Sequence, residues 1–377
     1  MPVRACLLLA LLLALPVGAQ ASAIRSIWSL PAGVARQATA APDYRTLKCP
    51  KDVIEPYTGA LLLDSKYDQN DPSKSTLGKG PSKQSEQIHE TVNTYGKRLS
   101  LFADYYAEAK EPEQAAMALA CMDQWLQAWA VAGALESREA TKTGLAMRKW
   151  TLAAIASSVL KLQALSSQQF QLSDAQRKWL ERLANLVLED YDQRLAPSFV
   201  YFNNHDYWAA WAIGATGMLL NNPNYLDWSG KVFRRAMQQI TLSASGDYAY
   251  LPNELARGKL AANYTHYALV PLILVAETLR INGNRVSPED SLKLELLANF
   301  AVRSVLAPKD LPELRRLRQE QVPAHKMAWL IPFLGAHPQH GLARQLYLAE
   351  RGEVDGYRQI GGRLKAFYPI VDSHRPR

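Results

Sequence analysis

The chain has 377 residues and a formal net charge of +8, because 43 lysines and arginines outnumber 35 aspartates and glutamates. Hydrophobic residues make up 48% of it, a composition that fits a packed globular protein and excludes a disordered or collagen-like chain. The positive net charge favours an acidic partner, and the three candidates are nucleic acid, an anionic membrane surface and an anionic polymer.

The N-terminus has the features of a secretory signal peptide. Arg4 is followed by an apolar run, Leu7 to Val17, and then by small residues that end at Ala23. In such peptides a positive charge comes first, an apolar stretch follows, and an A-x-A-like cleavage site ends the segment. The run is too short to span a bilayer; a retained anchor is the alternative. We expect residues 1–23 to be removed and the mature chain to reach the periplasm without a membrane span. This address argues against nucleic acid and leaves an anionic polysaccharide as partner.

Two cysteines, Cys49 and Cys121, remain after Cys6 leaves with the signal peptide. In an oxidising compartment two cysteines predict one disulfide. Two free thiols are the alternative, but neither cysteine has a histidine beside it in the sequence to activate it as a nucleophile.

After an irregular start the chain is predicted to be helical. Residues 24–60 contain four prolines and show poor periodicity, which is typical of irregular structure. Residues 61–377 are predicted to form one helical domain of about ten segments, with apolar spacings of three and four such as those from Ile88 to Phe102. Helices joined by short breaks pack as antiparallel hairpins. We therefore expect an all-α array, either a closed toroid or a solenoid, with few strands.

Three local signals predict helix starts. Pro112 is tolerated in a first turn, Ser173 and Gln176 form a capping-box pattern, and Ser287 precedes Pro288 with acidic residues after it.

A basic loop interrupts the helical pattern at residues 64–83. It carries Lys66, Lys74, Lys79 and Lys83 among glycines, serines and prolines. Such a loop is a candidate lid over an anionic ligand. A solvated linker without function is the alternative.

Two polar segments are the candidates for chemistry. Asn204 and His205 lie in a turn that leads into a predicted helix, where backbone amides and side-chain donors converge. Residues 251–267 contain Arg257 and Tyr264, seven positions apart. In a continuous helix these two would share one face, about 10 Å apart along the axis. Each of the four taken alone is more often structural, so the interpretation depends on the set.

These segments resemble the alginate lyases of polysaccharide lyase family 5, the periplasmic mannuronate-specific lyases of alginate-producing bacteria. The likeness covers most of the mature chain. Its motifs, in matching order, are Ser65-Lys66-Tyr67, Met147-Arg148-Lys149-Trp150, Asn203-Asn204-His205-Asp206-Tyr207-Trp208 and Leu251-Pro252-Asn253-Glu254-Leu255. Arg257 and Tyr264 keep the family's spacing, and Cys49 and Cys121 sit where the family has a disulfide.

The resemblance implies an all-α fold, an incomplete (α/α)6-type toroid of antiparallel helical hairpins with a deep cleft. It also implies that no metal takes part, and we expect a monomer that acts without an organic cofactor. The reaction centre that it implies consists of Asn204, His205, Arg257 and Tyr264. The residues that it implies as sugar contacts are Lys66, Tyr67, Arg148, Trp208 and Tyr267.

These residue types suit β-elimination from a uronate polymer. A base removes the C5 proton, which is α to the carboxylate, and the glycosidic oxygen at C4 leaves. Because the carboxylate is already negative, the enolate-like dianion needs donors or cations, which Asn204, His205 and the fork of Arg257 supply. In mannuronate the C5 proton and O4 lie on one side, so Tyr264 can serve as base and acid, and Arg257 is expected to lower its pKa. His205 is the alternative base, particularly for a substrate of opposite geometry.

This sequence departs from the family pattern in ways that leave the substrate open. Thr265-His266-Tyr267 replaces the usual His-Asn-Tyr, Asp206 replaces a small polar residue, and residues 308–325 follow no family pattern. A polyglucuronate or hyaluronan-like substrate is therefore an alternative. Two other classes compete: an inverting glycoside hydrolase with carboxylates from Glu254, Asp206 or Glu90, and a non-catalytic protein that binds anionic polysaccharide.

Overall fold

The protein is a succession of α-helices. The computed structural model describes residues 23–30, 42–283 and 286–369, so the predicted signal peptide lies outside the described residues except for Ala23. Eleven α-helices occur in this described part, close to the predicted ten. They are α1 Lys83–Glu108, α2 Pro112–Ala132, α3 Lys142–Leu165, α4 Asp174–Tyr191, α5 Asn204–Leu220, α6 Pro223–Gln239, α7 Pro252–Leu255, α8 Ala261–Ile281, α9 Pro288–Leu306, α10 Leu330–Ala336 and α11 Gly341–Ala349.

The helices begin where the sequence predicts. Pro112 is the first residue of α2, and the side chain of Ser287 caps α9 by accepting from the backbone of Asp290. Ser173 and Gln176 form a complete capping box at the start of α4. Local hydrogen bonding therefore determines these boundaries.

The helices pack in two layers. α1, α3, α5 and α8 contact one another in sequence and form the inner layer. Each is paired with the helix behind it, α2, α4, α6 and α9 respectively. The 3₁₀ turn Arg358–Ile360 returns the end of the described chain to α1 and α3. This arrangement of helical hairpins is the predicted α/α toroid.

The inner helix α3 is buried on nearly all sides, and its sequence is apolar without a one-sided stripe, as expected for an interior helix. Three cations lie within it, Arg148, Lys149 and Lys161, none of them more than 1% exposed. Buried charges need partners. Arg148 pairs with Asp190 at 2.9 Å and Lys161 with Asp104 at 3.0 Å. Among the described residues, no carboxylate forms an ion pair with Lys149.

The chain enters the lid from a tight contact with α3. Leu61 pairs with Ala140 in a parallel bridge, and the Thr141 hydroxyl donates to the carbonyl of Leu63 at 2.6 Å. Gly144 has no room for a side chain, because a Cβ atom there would lie 1.9 Å from the carbonyl oxygen of Leu61. The start of the lid is therefore fixed to the inner layer.

The N-terminal segment is irregular, as predicted. Its described part, residues 23–30 and 42–60, contains one 3₁₀ turn, Tyr44–Thr46. Cys49 and Cys121 form the predicted disulfide, with a sulfur–sulfur distance of 1.97 Å. None of the helices in the described ranges has the length and apolarity needed to cross a bilayer.

A small hairpin precedes the second polar segment. Its strands, β1 Thr241–Leu242 and β2 Ala249–Tyr250, are antiparallel, with Thr241 opposite Tyr250. They make the one sheet found in the described residues, which agrees with the prediction of few strands. The hairpin leads into the short helix α7 and so positions the residues that follow.

Candidate active site

The first polar segment caps helix α5. The Asn203 side chain accepts from the backbone of His205 at 3.0 Å, and the Asp206 carboxylate accepts from the backbone of Asn203 at 2.8 Å. Arg194 donates to the same carboxylate at 2.5 and 2.8 Å. Asp206, which departs from the family pattern, thus stabilises the turn from which Asn204 and His205 project.

A buried glutamate joins the two polar segments. Glu254 accepts from the backbone of Asn204 at 2.6 Å and from its side-chain Nδ2 at 2.9 and 3.1 Å. Burial raises the pKa of Glu254 to about 7, although the bonds from Asn204 and the charge of Arg257 act to lower it. Asn204 Oδ1 is buried without a partner. In the sequence Glu254 belongs to a family motif and has a role only in the alternative hydrolase, whereas in the structure it orients Asn204.

Arg257 lies in the turn between α7 and the 3₁₀ turn Gly258–Leu260. Its guanidinium carbon is 3.8 Å from the ring centroid of Tyr264. The region is not the one continuous helix for which a 10 Å axial separation is expected, because α7 ends at Leu255 and the chain turns at Gly258, whose φ is +57°. Arg257 Nη2 donates to the carbonyl of Lys74 at 2.6 Å, and its Nε is buried without a partner.

Tyr264, in the first turn of α8, stands among aromatic rings and cations. Its ring centroid is 6.4 Å from that of Tyr67 and 6.1 Å from that of Tyr267. Lys326 Nζ is 5.2 Å from the Tyr264 centroid. Burial raises the pKa of Tyr264, and the Arg257 cation offsets only part of that rise. The expectation of a lowered pKa is therefore wrong for the free protein, in which Tyr264 is a protonated phenol.

The predicted lid, residues 64–83, folds as a closed loop that ends at the first residue of α1. An antiparallel bridge joins Tyr67 to Leu77. The Asp71 carboxylate stabilises the tip of the loop by accepting hydrogen bonds of 2.7 to 2.9 Å. The donors of these bonds belong to Ser73, Ser75 and Thr76.

The predicted lid lies against the predicted reaction centre. Besides the bond from Arg257 to the Lys74 carbonyl, the guanidinium carbon of Arg257 is 5.3 Å from the Tyr67 ring centroid. Lys66 is exposed, with its Nζ 5.5 Å from the same ring. The structure therefore brings Lys66 and Tyr67 to the side of Arg257 and Tyr264.

His205 contacts a buried lysine on the side that faces the protein interior. Its Nδ1 lies 2.9 Å from Lys149 Nζ, which also donates to the His205 carbonyl at 2.9 Å and lies 2.8 Å from the Tyr191 hydroxyl. Trp150 is half-buried, with its ring 5.7 Å from that of His205. Burial, and after it the Lys149 cation, lower the pKa of His205 well below 6.5. The imidazole is therefore neutral at neutral pH.

Lys326 belongs to the site, although no motif in the sequence marks it. It lies in the 3₁₀ turn Ala324–Met327, and its Nζ donates to Asn263 Oδ1. Burial, followed by the charges of Lys66 and Arg257, lowers the pKa of Lys326 to about 8, and Glu254 offsets part of this change. Three cations thus converge on one place, as an anionic ligand requires.

Arg148 does not lie in the candidate site with Arg257 and Lys326. It is 1% exposed, and its guanidinium donates to Asp190, to the carbonyl of Leu135 and to the carbonyl of Ser137. The implied sugar contact is wrong for Arg148, because protein acceptors take up its donors inside the helical array.

Trp208 and Tyr267 lie beneath the site. They are 0% and 7% exposed, and their ring centroids are 5.2 Å apart. Tyr267 in turn packs edge-on against Tyr264. Tyr267 thus supports the Tyr264 ring and Trp208 packs against Tyr267, so the implied direct sugar contact does not fit the burial of either residue.

The shifted histidine of the second segment is structural. His266 is fully buried, its Nδ1 accepts from Trp329 Nε1 at 3.0 Å, and its Nε2 lies 2.9 Å from the carbonyl oxygen of Ala301. An indole N–H can only donate and a carbonyl can only accept. The His266 proton is therefore on Nε2, and both of its ring nitrogens are occupied.

The site combines cations with unpaired polar atoms. Arg257 Nε and Asn204 Oδ1 are buried without hydrogen-bond partners, a condition that costs roughly 1–3 kcal/mol per group. A ligand that carries both an acceptor and a donor recovers this energy. Within the described ranges, no three histidine, cysteine, aspartate or glutamate side chains are grouped so that they could hold a metal ion.

Comparison with known proteins gives consistent matches. The Alginate lyase family model matches residues 62–311. An alginate lyase of Cobetia marina is 33% identical over 288 residues, which are 74% of this chain and 73% of that protein. An alginate lyase of Pseudomonas putida strain W619 is 30% identical over 374 residues, 97% of each chain.

Solved structures share the fold. Alginate lyase A1-III in complex with a tetrasaccharide has a TM-score of 0.65 at 17% identity and covers 89% of this chain and 87% of its own. The 1.78 Å crystal structure of alginate lyase A1-III from Sphingomonas species A1 has a TM-score of 0.62 at 16% identity, with 91% and 89% covered. The helical toroid, the family model and the extent of the sequence matches together establish that this chain belongs to the alginate lyase family of polysaccharide lyases.

Proposed function

We propose that this protein cleaves mannuronate-rich alginate by β-elimination. The observation that carries the proposal is the convergence of two distant segments. Arg257 lies 3.8 Å from the Tyr264 ring, and Glu254, three residues before Arg257, bonds Asn204 beside His205. Relatives that are about 30% identical are alginate lyases, which supports alginate as the polymer.

The cations and donors suit the carboxylate of the sugar whose C5 proton is lost. Removal of that proton puts a second negative charge on the sugar acid. Arg257 can hold the carboxylate with its free Nε, while His205 and Asn204 supply neutral polar groups beside it. Preorganised groups of this kind stabilise developing charge by several kcal/mol each. The enolate-like dianion is therefore the species that this site would favour.

Tyr264 is the group proposed to move the proton. It takes the C5 proton as the phenolate and returns it to the C4 glycosidic oxygen as that bond breaks. Because Tyr264 is a phenol in the free protein, it first gives its own proton to bulk water, at a free-energy cost set by its raised pKa. The Arg257 and Lys326 cations near its ring lower the cost of the phenolate. In mannuronate the proton and O4 are on one side, which suits a single residue.

The three carboxylates considered for a hydrolase do not form a pair that faces one site. Glu254 is fully buried and bonded to Asn204. Asp206 is taken up by Arg194, and Glu90 lies exposed on α1. An inverting hydrolase needs two free carboxyl groups facing the same bond. Elimination therefore fits these residues better than hydrolysis.

The place of action is part of the same proposal. The charged and apolar N-terminal pattern supports export to the periplasm, where an anionic polysaccharide meets a chain of net charge +8. We propose that the mature protein acts there as a monomer.

A panel of polymers tests the reaction and the substrate together. Purified protein is incubated with polymannuronate, polyguluronate, polyglucuronate and hyaluronan, and the ultraviolet absorbance of the 4,5-unsaturated uronate is followed. Fastest growth on polymannuronate is the expected result. Faster growth on polyglucuronate or hyaluronan would replace the substrate but retain the reaction. New reducing ends without absorbance would overturn elimination, and neither signal would indicate a binding protein.

The substitution Tyr264→Phe tests the proton-transfer step. It removes one hydroxyl and keeps the ring that Arg257 and Tyr267 contact. Turnover should fall to background while polymer binding, measured by calorimetry, changes little. Turnover near that of the wild type would remove Tyr264 from the mechanism.

A further inference from the structure

The lysine behind His205 is not used by the proposed reaction. Lys149 is 0% exposed within α3, and its Nζ has three neighbours at hydrogen-bond distance. These are the Tyr191 hydroxyl at 2.8 Å, His205 Nδ1 at 2.9 Å and the His205 carbonyl at 2.9 Å. Two of the three contacts go to His205, so the amine is built against that residue.

The charged groups around the amine leave it without an ion pair. On the neighbouring elements Asp190 forms an ion pair with Arg148, and Asp206 forms an ion pair with Arg194. Burial lowers the pKa of Lys149 well below 10.5, and the two aspartates offset this only in part. What the amine contributes here is therefore its hydrogen bonds.

The three contacts determine where the His205 proton sits. The carbonyl of His205 can only accept, so it takes one N–H of Lys149. If the amine is charged, its other hydrogens go to Nδ1 and to the Tyr191 oxygen. If it is neutral, the Tyr191 hydroxyl donates to its lone pair and its second hydrogen goes to Nδ1. In both cases Nδ1 is an acceptor.

The opposite arrangement leaves a group unpaired. Were Nδ1 to donate to the lone pair of Lys149, the second N–H of the amine would go to Tyr191. The phenol proton of Tyr191 would then have no acceptor, since Lys149 is its hydrogen-bond partner in the described structure. Leaving a buried donor unpaired costs roughly 1–3 kcal/mol. Protonation of Nε2 is therefore favoured.

We propose that Lys149 is a positioning residue that keeps the His205 proton on Nε2. The ring edge with Nε2 points away from Lys149, because the two ring nitrogens lie on different sides of the imidazole. His205 then meets the sugar as a hydrogen-bond donor and cannot remove the C5 proton, which leaves that step to Tyr264. This inference rests on the proposed elimination reaction and decides between its two candidate bases.

Nitrogen NMR of the imidazole tests the inference without substrate. The protein is labelled with ¹⁵N-histidine, and long-range proton–nitrogen correlations identify which nitrogen of each of the seven histidines is protonated. His205→Ala assigns the signal. The expected wild-type result is a neutral His205 protonated on Nε2. Protonation on Nδ1 would overturn the proposal, even if no variant of Lys149 folds.

Two variants separate positioning from packing. Lys149→Met keeps the length and bulk of the side chain but removes both bonds to His205, and it should yield a mixture of tautomers. Its kcat should fall several-fold, in proportion to the fraction of His205 that leaves the Nε2 tautomer, with a smaller change in KM. Lys161→Met is the matched control, because it makes the same change at the other buried lysine of α3, which pairs with Asp104 and not with His205; it should retain the Nε2 tautomer.

The outcomes distinguish this inference from the proposed function. An unchanged tautomer together with unchanged kcat in Lys149→Met would refute a positioning role. A changed tautomer in a protein that gives no unsaturated product from any polyuronate would support the role of Lys149 and refute the proposed reaction.

Discussion

Replacing Glu254 by glutamine should remove a large pH dependence from the stability of this protein. Burial raises the pKa of Glu254 to about 7 from 4.5, so the folded protein binds this proton more tightly than the unfolded chain does. A group whose pKa is raised by folding stabilises the fold fully below its unfolded pKa. That contribution is lost as the pH rises through the folded-state pKa.

The magnitude follows from the size of the shift. The difference between about 7 and 4.5 is 2.5 units, which at about 1.36 kcal/mol per unit corresponds to roughly 3 kcal/mol. The free energy of unfolding of the wild type should fall by roughly this amount across that interval because of Glu254. Glu254→Gln cannot ionise. Its oxygen still accepts from the backbone of Asn204, and the Asn204 amide can turn its unpartnered Oδ1 toward the new NH₂ group.

Urea unfolding followed by tryptophan fluorescence, at several values from about pH 5 to about pH 8, measures the effect. The free energy of unfolding of the variant relative to the wild type should rise by about 2–3 kcal/mol over this range. Glu113→Gln, at an exposed position in the first turn of α2, is the control and should show a constant difference. A constant difference for Glu254→Gln as well would mean that the carboxyl is ionised throughout, and the burial argument would be refuted.

Three further predictions concern the disulfide, the lid and the guanidinium. The double substitution of Cys49 and Cys121 by alanine opens a link between residues 72 apart and should lower the free energy of unfolding by about 4 kcal/mol; a loss below about 1 kcal/mol in urea unfolding would contradict it. Asp71→Ala removes the acceptor that gathers the lid tip, so KM for polymer should rise several-fold with little change in kcat; an unchanged KM in steady-state assays would argue against a substrate-binding lid. Arg257→Lys loses the planar fork and the stacking on Tyr264, so kcat should fall by about 10²- to 10³-fold; initial rates within twofold of the wild type would count against the proposed charge stabilisation.

Part of the site could be predicted from the sequence because its residues lie in motifs. Asn204 and His205 follow the capping residue Asn203, and Arg257 and Tyr264 keep a recognisable spacing. Their proximity is observed, but its cause differs from the one predicted. The chain breaks at Gly258 rather than continuing as a helix, which brings the guanidinium onto the Tyr264 ring.

The predictions that were wrong for Arg148, Trp208 and Tyr264 failed for one reason, which is the burial of these side chains. Arg148 and Trp208 belong to the same motifs as residues of the proposed site, but they lie on α3 and α5 with their side chains in the interior. The rise in the pKa of Tyr264 has the same origin, since the desolvation of its ring environment outweighs one nearby cation. A motif records which residues occur together, and it does not record which way each side chain faces.

The sequence of helix α3 carries a signal for buried cations. Helix α3 is apolar on all sides, and a cation in such a helix has to find an internal partner. Arg148, Lys149 and Lys161 all satisfy this rule, and Lys149 does so with His205 instead of a carboxylate. Lys326 had no comparable signal, because it lies in a short 3₁₀ turn far along the chain.

Sequence patterns predict the helices, their starts and the two polar segments, because periodicity and capping act within a few residues of the chain. The disulfide between Cys49 and Cys121 is predicted from the cysteine count and the expected compartment, with free thiols as the alternative, and its two residues meet only in the folded chain. The packing of the helices determines which cations face the site, that Glu254 bonds Asn204, and that Lys149 lies behind His205. Those facts depend on the packing of helices that are remote in sequence, and on the loss of water around each group, which no local pattern encodes.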